Sequence, residues 1–292
     1  MRWAAVVLPD LEWPEARRQF VDLERRGFRA AWTYDHLSWR DLRDGPWLGA
    51  IPLLAAASTV TSSLRLGPLV ASPNYRHPAL FAKDVMTIDR ISDGRVELGL
   101  GAGGTGFDAD VLGPNGCRRR TVRIGSRSSS RRWTSCCGSR SRPTGAVGSR
   151  RSSPGPCLAV SNSRECPSPS RPRAPLRTRV AARFGSTWVT FGPMTGGDTA
   201  DDWFEGLRLQ TERLNAVCRD HDRAPESLRR MALLGLEQRW ATHSVSALSE
   251  TIDRLEALGF TDVAVHCPRP WDDERPGVPQ AVFDAISDRL VV

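Results

Sequence analysis

The sequence predicts an α/β protein, a (β/α)8 TIM barrel that is incomplete around strand five. Three observations lead there. Strand and helix signals alternate through residues 1–116 and again through 180–292, and such alternation implies a parallel sheet with both faces covered. The 292 residues suit a barrel of ~250 residues with insertions. Seven strands are legible, and the 63 residues between the two organised stretches are long enough for the missing one, since a βα unit takes ~30 residues. An open doubly wound sheet is the structural alternative.

Each element has its own signal. Arg2–Leu8 is a short apolar run. Pro14 stands at a first helical position, Ala16, Phe20 and Leu23 fall on one face, and Gly27 closes the helix. Arg29–Tyr34 is the second strand. Ile51–Val60 is an apolar helix, followed by the third strand, Leu64–Ala71. Pro78–Ile91 is helical with Phe81, Val85 and Ile88 on one face, and the turn Ser92-Asp93-Gly94 leads into the fourth strand, Arg95–Leu100. The rhythm resumes with a strand at Thr187–Phe191 and a helix at Asp201–Val217. A strand at Met231–Leu236 then precedes a helix at Val245–Leu258 closed by Gly259. Thr261–His266 is the last strand and Pro279–Leu290 the last helix.

The formal charge of +8 would ordinarily point to a polyanion partner. Its location argues otherwise. Residues 1–116 carry net −1 and residues 180–292 net −6, while residues 117–179 carry 16 arginines against one acid, Glu165. Five of the seven cysteines lie in the same segment, which has no apolar stripe at helical or strand spacing. One reading is an Arg/Ser-rich disordered segment that grips nucleic acid through phosphates. A second is a cysteine site for a metal or disulfides, but no CxxC pair is present and the adjacent Cys136-Cys137 is poor ligand spacing.

The third reading is translation out of frame. One lysine, Lys83, against 40 arginines marks a GC-rich gene. In such a gene a shift by one base moves the G or C of the third codon position to the second. Codons of that kind encode Ser, Pro, Thr, Ala, Arg, Gly, Cys and Trp, and 55 of the 63 residues are of those types. The exceptions are Val122, Ile124, Val147, Leu158, Val160, Asn162, Glu165 and Leu176. The out-of-frame reading is therefore preferred, and a continuous, evenly GC-biased reading frame through these codons would sink it. The expectation is a single barrel domain over 1–292 with 117–179 as an anomalous, disordered stretch. Nucleic acid is not expected as a partner, and no metal is expected.

No apolar run approaches the ~18 residues of a membrane span. Asp10, Glu12 and Glu15 follow the start closely, which does not read as a signal peptide. A cytoplasmic protein is expected.

In a barrel the chemistry sits at the C-terminal ends of the strands. Strand two ends in Tyr34-Asp35-His36-Leu37-Ser38-Trp39. A carboxylate beside an imidazole suits proton transfer, although a surface histidine in a capped loop is the commoner origin of such a pair. Strand three ends in Ser72-Pro73-Asn74-Tyr75-Arg76-His77-Pro78, which also reads as a turn and helix start. Strand four runs into Gly101-Ala102-Gly103-Gly104-Thr105-Gly106, a literal GxGxxG. A Rossmann NAD(P) site would use it for pyrophosphate, but the motif follows the fourth strand and no amphipathic helix follows at once. Close backbone approach explains such glycines better. His266 and Cys267 close strand eight as a strand-end polar group and a small buried residue.

Together these ends resemble the luciferase-like monooxygenase family, flavin- or deazaflavin-dependent barrels that include bacterial luciferase. The resemblance rests on AAWTYDHLSW (30–39), on TSSLRLGPLVASPNYRHPALFAKDVMTIDRISDGRVELGLGAGG (61–104) and on ALGFTDVAVH (257–266). It is weaker over 180–193 and absent over 117–179. It implies a barrel that binds FMN or the deazaflavin coenzyme F-420 at its C-terminal face and either transfers hydride or activates oxygen on a small organic substrate. It implies His36 as the acid–base residue, with Asp35 and Ser72 contacting the cofactor. It also implies a non-prolyl cis peptide at Leu69-Val70 behind the ring and Gly101 and Gly103 in the strand-four loop. The DH pair favours F-420. A homodimer through helices near strands two and three is implied as well.

The chain also departs from the pattern. Gly104 stands where the deazaflavin sugar-phosphate dehydrogenases carry a catalytic Glu, which argues against that substrate class. The family's phosphate-binding loop and helix start, natural for phosphate, would fall around Pro172–Thr178 in the anomalous segment. Strand five, the helix before it and the phosphate grip are therefore expected to be lost, with weak folding and little cofactor affinity as the consequence.

Overall fold

The computed structural model describes residues 1–39, 42, 45–72, 76–101, 108, 111, 157–161, 176–193, 199–236, 238–269 and 277–290, with the backbone alone at 157–161. Eight strands run in order: β1 (Arg2–Val6), β2 (Ala30–Thr33), β3 (Arg65–Pro68), β4 (Glu97–Leu100), β5 (Cys157–Ser161), β6 (Thr187–Thr190), β7 (Arg229–Leu234) and β8 (Asp262–His266). The described helices are α1 (Trp13–Arg25), α2 (Ala50–Val60), α3 (Pro78–Ile91), α4 (Leu176–Phe184), α5 (Ala200–Arg219), α6 (Val245–Ala257) and α7 (Gln280–Leu290). Every ladder is parallel, and the strand order is β3-β2-β1-β8-β7-β6-β5-β4. The two ends of that row meet through isolated parallel bridges, Leu66 to Val96 and Ala71 to Leu100. The result is a curled α/β barrel with a thin seam between β3 and β4. It matches the barrel read from the sequence rather than an open doubly wound sheet.

The strand period of two sorts the core into two layers. Ala4, Val6, Ala30, Trp32, Leu69, Val189, Met231, Leu233 and Ala264 pack together inside the barrel. Their neighbours Trp3, Ala5, Ala31, Trp188, Ala232, Leu234, Val263 and Val265 face Phe20, Leu54, Phe81, Leu207 and Ile252 of the helices. Gly27 and Gly259 close α1 and α6 at φ of 81° and 79°, the left-handed conformation that glycine adopts without penalty.

The seam depends on glycine for a different reason. A Cβ on Gly67 would stand 1.6 Å from the Glu97 carbonyl oxygen, and one on Gly99 would stand 2.3 Å from that of Pro68. Only bare backbones can approach so closely. The amide of Ala71 donates to Gly99 O at 2.8 Å, and that of Gly101 to Ala71 O at 2.9 Å.

One expectation is corrected. Strand five is not lost: Cys157–Ser161 lies within the anomalous segment and pairs with both neighbours, from Glu97↔Cys157 to Leu100↔Val160 on one side and from Ala159↔Thr187 to Ser161↔Val189 on the other. The segment supplies a strand because Leu158 and Val160 give a stretch of alternating apolar character, and the unpaired edges of β4 and β6 offer it a full set of backbone partners. The expected loss of the helix before strand five falls on residues 112–156, outside the described residues.

The opposite end of the barrel is built for stability. Arg2 pairs with Asp262 at 3.0 Å and Arg65 with Glu97 at 2.7 Å, while Arg229 lies 3.4 Å from Asp262. A cavity of about 10 Å³ sits among Arg2, Trp32, Glu97, Arg229 and Asp262, room for about one water. Arg2, Glu97, Arg229 and Asp262 start their strands, so the cavity belongs to the barrel floor and not to the end where strand-end chemistry occurs.

Candidate active site

Parallel pairing brings the ends of β2, β3, β4 and β8 to one rim. At the end of β3 the Leu69-Val70 peptide is cis, as the resemblance implied. It sits against the glycine edge of β4: a Cβ on Gly101 would come within 2.6 Å of Val70 Cγ2, and one on Gly99 within 3.2 Å of Val70 Cγ1. Leu69 and Tyr34 belong to the inner core, and Val70, Trp39 and Trp47 pack partly buried against it. Ser72 follows at the rim, partly buried and with a polar partner. Gly103 lies outside the described residues, as does the rest of GxGxxG beyond Gly101. Gly101 thus has a packing reason to be glycine.

His36 and Asp35 leave the end of β2 in different directions. The His36 side chain is 40% exposed, with Nδ1 2.6 Å from an oxygen of Asp108. The other Asp108 oxygen accepts from the Leu37 amide at 3.0 Å, and the Trp47 indole N–H donates to the His36 carbonyl at 2.9 Å. Asp35, by contrast, is 2% exposed. Its two oxygens receive both terminal nitrogens of Arg76, one at 2.6 Å, a bidentate grip. The Arg76 guanidinium also lies 5.2 Å above the Phe81 ring. The RHP turn of the sequence therefore has two tasks. Arg76 fixes the β2 end, and His77 caps α3 by accepting from the Ala79 amide at 3.3 Å ahead of Pro78.

Beneath the rim, His266 points inward with Ala264 by strand parity and is fully buried. Its Nδ1 lies 3.3 Å from the Leu234 carbonyl and its Nε2 2.8 Å from the Tyr34 hydroxyl. A carbonyl only accepts, so Nδ1 carries the proton and Tyr34 donates to Nε2. Burial holds the imidazole well below its ordinary range, at about 3, so it stays neutral. Burial likewise pushes the neighbouring Cys267 thiol up to about 12, leaving an unreactive small residue.

The resemblance implied the cis peptide at Leu69-Val70, which is present. Sequence reasoning missed Arg76 as the partner of Asp35, Asp108 as the partner of His36, and the Tyr34–His266 bond. Tyr34, Arg76 and His266 stood in motifs that had been marked. Asp108 had no local signal, because it reaches His36 across 72 residues. Among the described residues no group of His, Cys, Asp and Glu could hold a metal ion.

The rim thus carries an imidazole–carboxylate pair at the strand ends of an α/β barrel. Residues 3–122 match the model of the luciferase-like monooxygenase family. A relative from Methanopyrus kandleri, 5,10-methylenetetrahydromethanopterin reductase, is 33% identical over 97 residues, which are 33% of this chain and 26% of that protein. The matched stretch thus spans about a quarter of that relative's length. Among solved structures, an F-420-dependent secondary alcohol dehydrogenase in complex with an F-420–acetone adduct superposes with a TM-score of 0.68 at 14% identity, covering 91% of this chain and 92% of that one. A type II Baeyer-Villiger monooxygenase from Pseudomonas putida in complex with FMN has a TM-score of 0.57 at 14% identity, covering 88% and 71%. These structural likenesses establish the fold.

Proposed function

We propose that the chain is a cytoplasmic luciferase-like oxidoreductase that binds coenzyme F-420 or FMN at the strand-end rim and acts on a small organic substrate. The observation that carries the reading is the His36–Asp108 pair at the end of β2, on the same rim where the end of β3 packs on Gly99 and Gly101 of β4. Strand ends of this kind are where a barrel places its chemistry, and a flat tricyclic ring would sit there beside the imidazole. The bound ring would supply the hydride-transferring or oxygen-activating chemistry.

The chain's own residues do the rest. Leu69, Val70, Trp39 and Trp47 exclude water from one side. His36, half open to solvent, holds or releases a proton. Asp35 works through Arg76, keeping the β2 end and hence His36 in place, and Ser72 offers a hydroxyl at the rim. The expected loss of the phosphate grip falls largely on residues 172–175, outside the described residues. A homodimer through α2 and α3 is part of the reading, supported by exposed Leu80, Met86 and Ile91 on α3.

Fluorescence titration of the chain with F-420 and with FMN tests this. With strand five in place, saturable binding of either one, weakened by Val70→Trp, is expected instead of the low affinity that its loss implied. Failure of the folded chain to bind both would overturn the reading. Affinity only for polyanions, abolished by ~0.2 M salt, would point instead to the Arg-rich segment.

A further inference from the structure

We propose that Asp108 is a positioning residue for His36, fixing the ring with its proton on Nδ1 so that Nε2 is the basic atom. The inference rests on the acid–base role given to His36 above, and it stands on geometry that requires no cofactor. One Asp108 oxygen lies 2.6 Å from His36 Nδ1. A carboxylate accepts, so at neutral ring charge the proton must sit on Nδ1. The second oxygen accepts from the Leu37 amide at 3.0 Å. This bond prevents the carboxylate from swinging and ties it to the backbone that bears the histidine.

Two further contacts restrict the ring. The Trp47 indole N–H holds the His36 carbonyl at 2.9 Å. The Tyr34 ring meets the imidazole edge-on, with centroids 6.2 Å apart at 82°. Backbone, carboxylate and aromatic edge thus set position, tautomer and tilt together.

The arrangement has consequences for catalysis. In water a neutral histidine prefers its proton on Nε2, and a hydrogen-bond partner at Nδ1 reverses that choice. A general base needs an unprotonated nitrogen directed at its proton source. Without Asp108 the ring would spend most of its time in the wrong tautomer, free to turn on a loop. The carboxylate itself touches neither cofactor nor substrate in this assignment, so it is a positioning group. Asp108 thereby ties its part of the chain, after β4 in sequence, to the end of β2.

The test is the long-range 1H–15N spectrum of the histidine side chains in the full chain at pH ~8, above the ordinary imidazole range. The chain has five histidines, and the His36 signals are identified by their loss in His36→Gln. Wild type is expected to show Nδ1 protonated and Nε2 shifted downfield as a bare nitrogen. Asp108→Ala is expected to revert to the Nε2-protonated form, and Asp108→Asn, which retains an acceptor oxygen, to keep the wild-type tautomer. An Nε2-protonated His36 in the wild type would overturn the proposal whether or not the variants fold. So would an unchanged spectrum in a folded Asp108→Ala. Because cofactor titration is a separate measurement, failure to bind F-420 and FMN would remove the enzymatic reading and leave the tautomer result standing.

Discussion

The buried Tyr34–His266 pair makes stability below neutral pH depend on one imidazole. In the unfolded chain the histidine titrates near 6.5; in the folded chain burial holds it at about 3. Its folded pKa is therefore depressed. The unfolded state takes up a proton as pH falls through 6.5, and the native state does not until pH approaches 3. The stabilising contribution is complete above 6.5 and is lost progressively below it. Between pH 7 and pH 5 the unfolded histidine gains almost a full proton. At 1.36 kcal/mol per pH unit over the roughly 1.5 units below its midpoint, the folded state loses about 2 kcal/mol. His266 is 0% exposed, so solvent screening does not reduce this figure. The comparison is Tyr34→Phe/His266→Leu, which removes the imidazole and the hydroxyl that donates to it together. Urea unfolding at pH 7 and pH 5 gives the two free-energy differences. The parent should lose about 2 kcal/mol more than the double variant. Equal losses would refute the buried neutral imidazole as the source.

Other consequences follow from the rim and the seam. Arg76→Ala leaves the Asp35 carboxylate buried at 2% exposure without its bidentate partner. It should cost about 3–5 kcal/mol in urea unfolding, whereas Asp35→Asn/Arg76→Met should recover most of that. Gly99→Ala would place a methyl 2.3 Å from the Pro68 carbonyl oxygen and should cost about 1–3 kcal/mol through forced backbone movement. Gly45→Ala, whose methyl would meet nothing nearer than 3.8 Å, is the control and should melt with the parent.

The fold was legible wherever apolar spacing and punctuation agreed. Pro14 and Gly27 bound α1, and Ser92-Asp93-Gly94 separates α3 from β4, because backbone constraints at Pro and Gly act locally. The DH and RHP motifs were legible as strand-end runs for the same reason, each being short and local. What joins them was not. Arg76 meets Asp35 across 41 residues, and Tyr34 meets His266 across 232. Such pairs are set by the strand order of the barrel, with β3 beside β2 and only β1 between β2 and β8, and no local pattern records it. The literal GxGxxG misleads for a related reason. Gly101 is small because Val70 occupies the space beside it, a tertiary demand that imitates a phosphate motif.

Strand five shows how far closure can override composition. The segment 117–179 carries the charge and the Ser, Arg and Pro content of a chain that should not pack, yet Cys157–Ser161 completes the sheet. Backbone geometry accounts for this. The row of strands ends on one side at β4 and on the other at β6, and both would otherwise bury unpaired N–H and C=O groups, each costing ~1–3 kcal/mol. Any five residues able to extend can satisfy them, because ladder bonds use no side chain. The cheapest candidates avoid proline and charge and alternate apolar residues. Within the 63 residues, CLAVS meets all three conditions: Leu158 and Val160 alternate, with no charged side chain between Cys157 and Ser161. The +8 charge that first suggested a polyanion partner therefore lies largely outside what the barrel needs. Within that segment, the barrel draws on an uncharged strand, and α4 begins at the segment's end with Leu176.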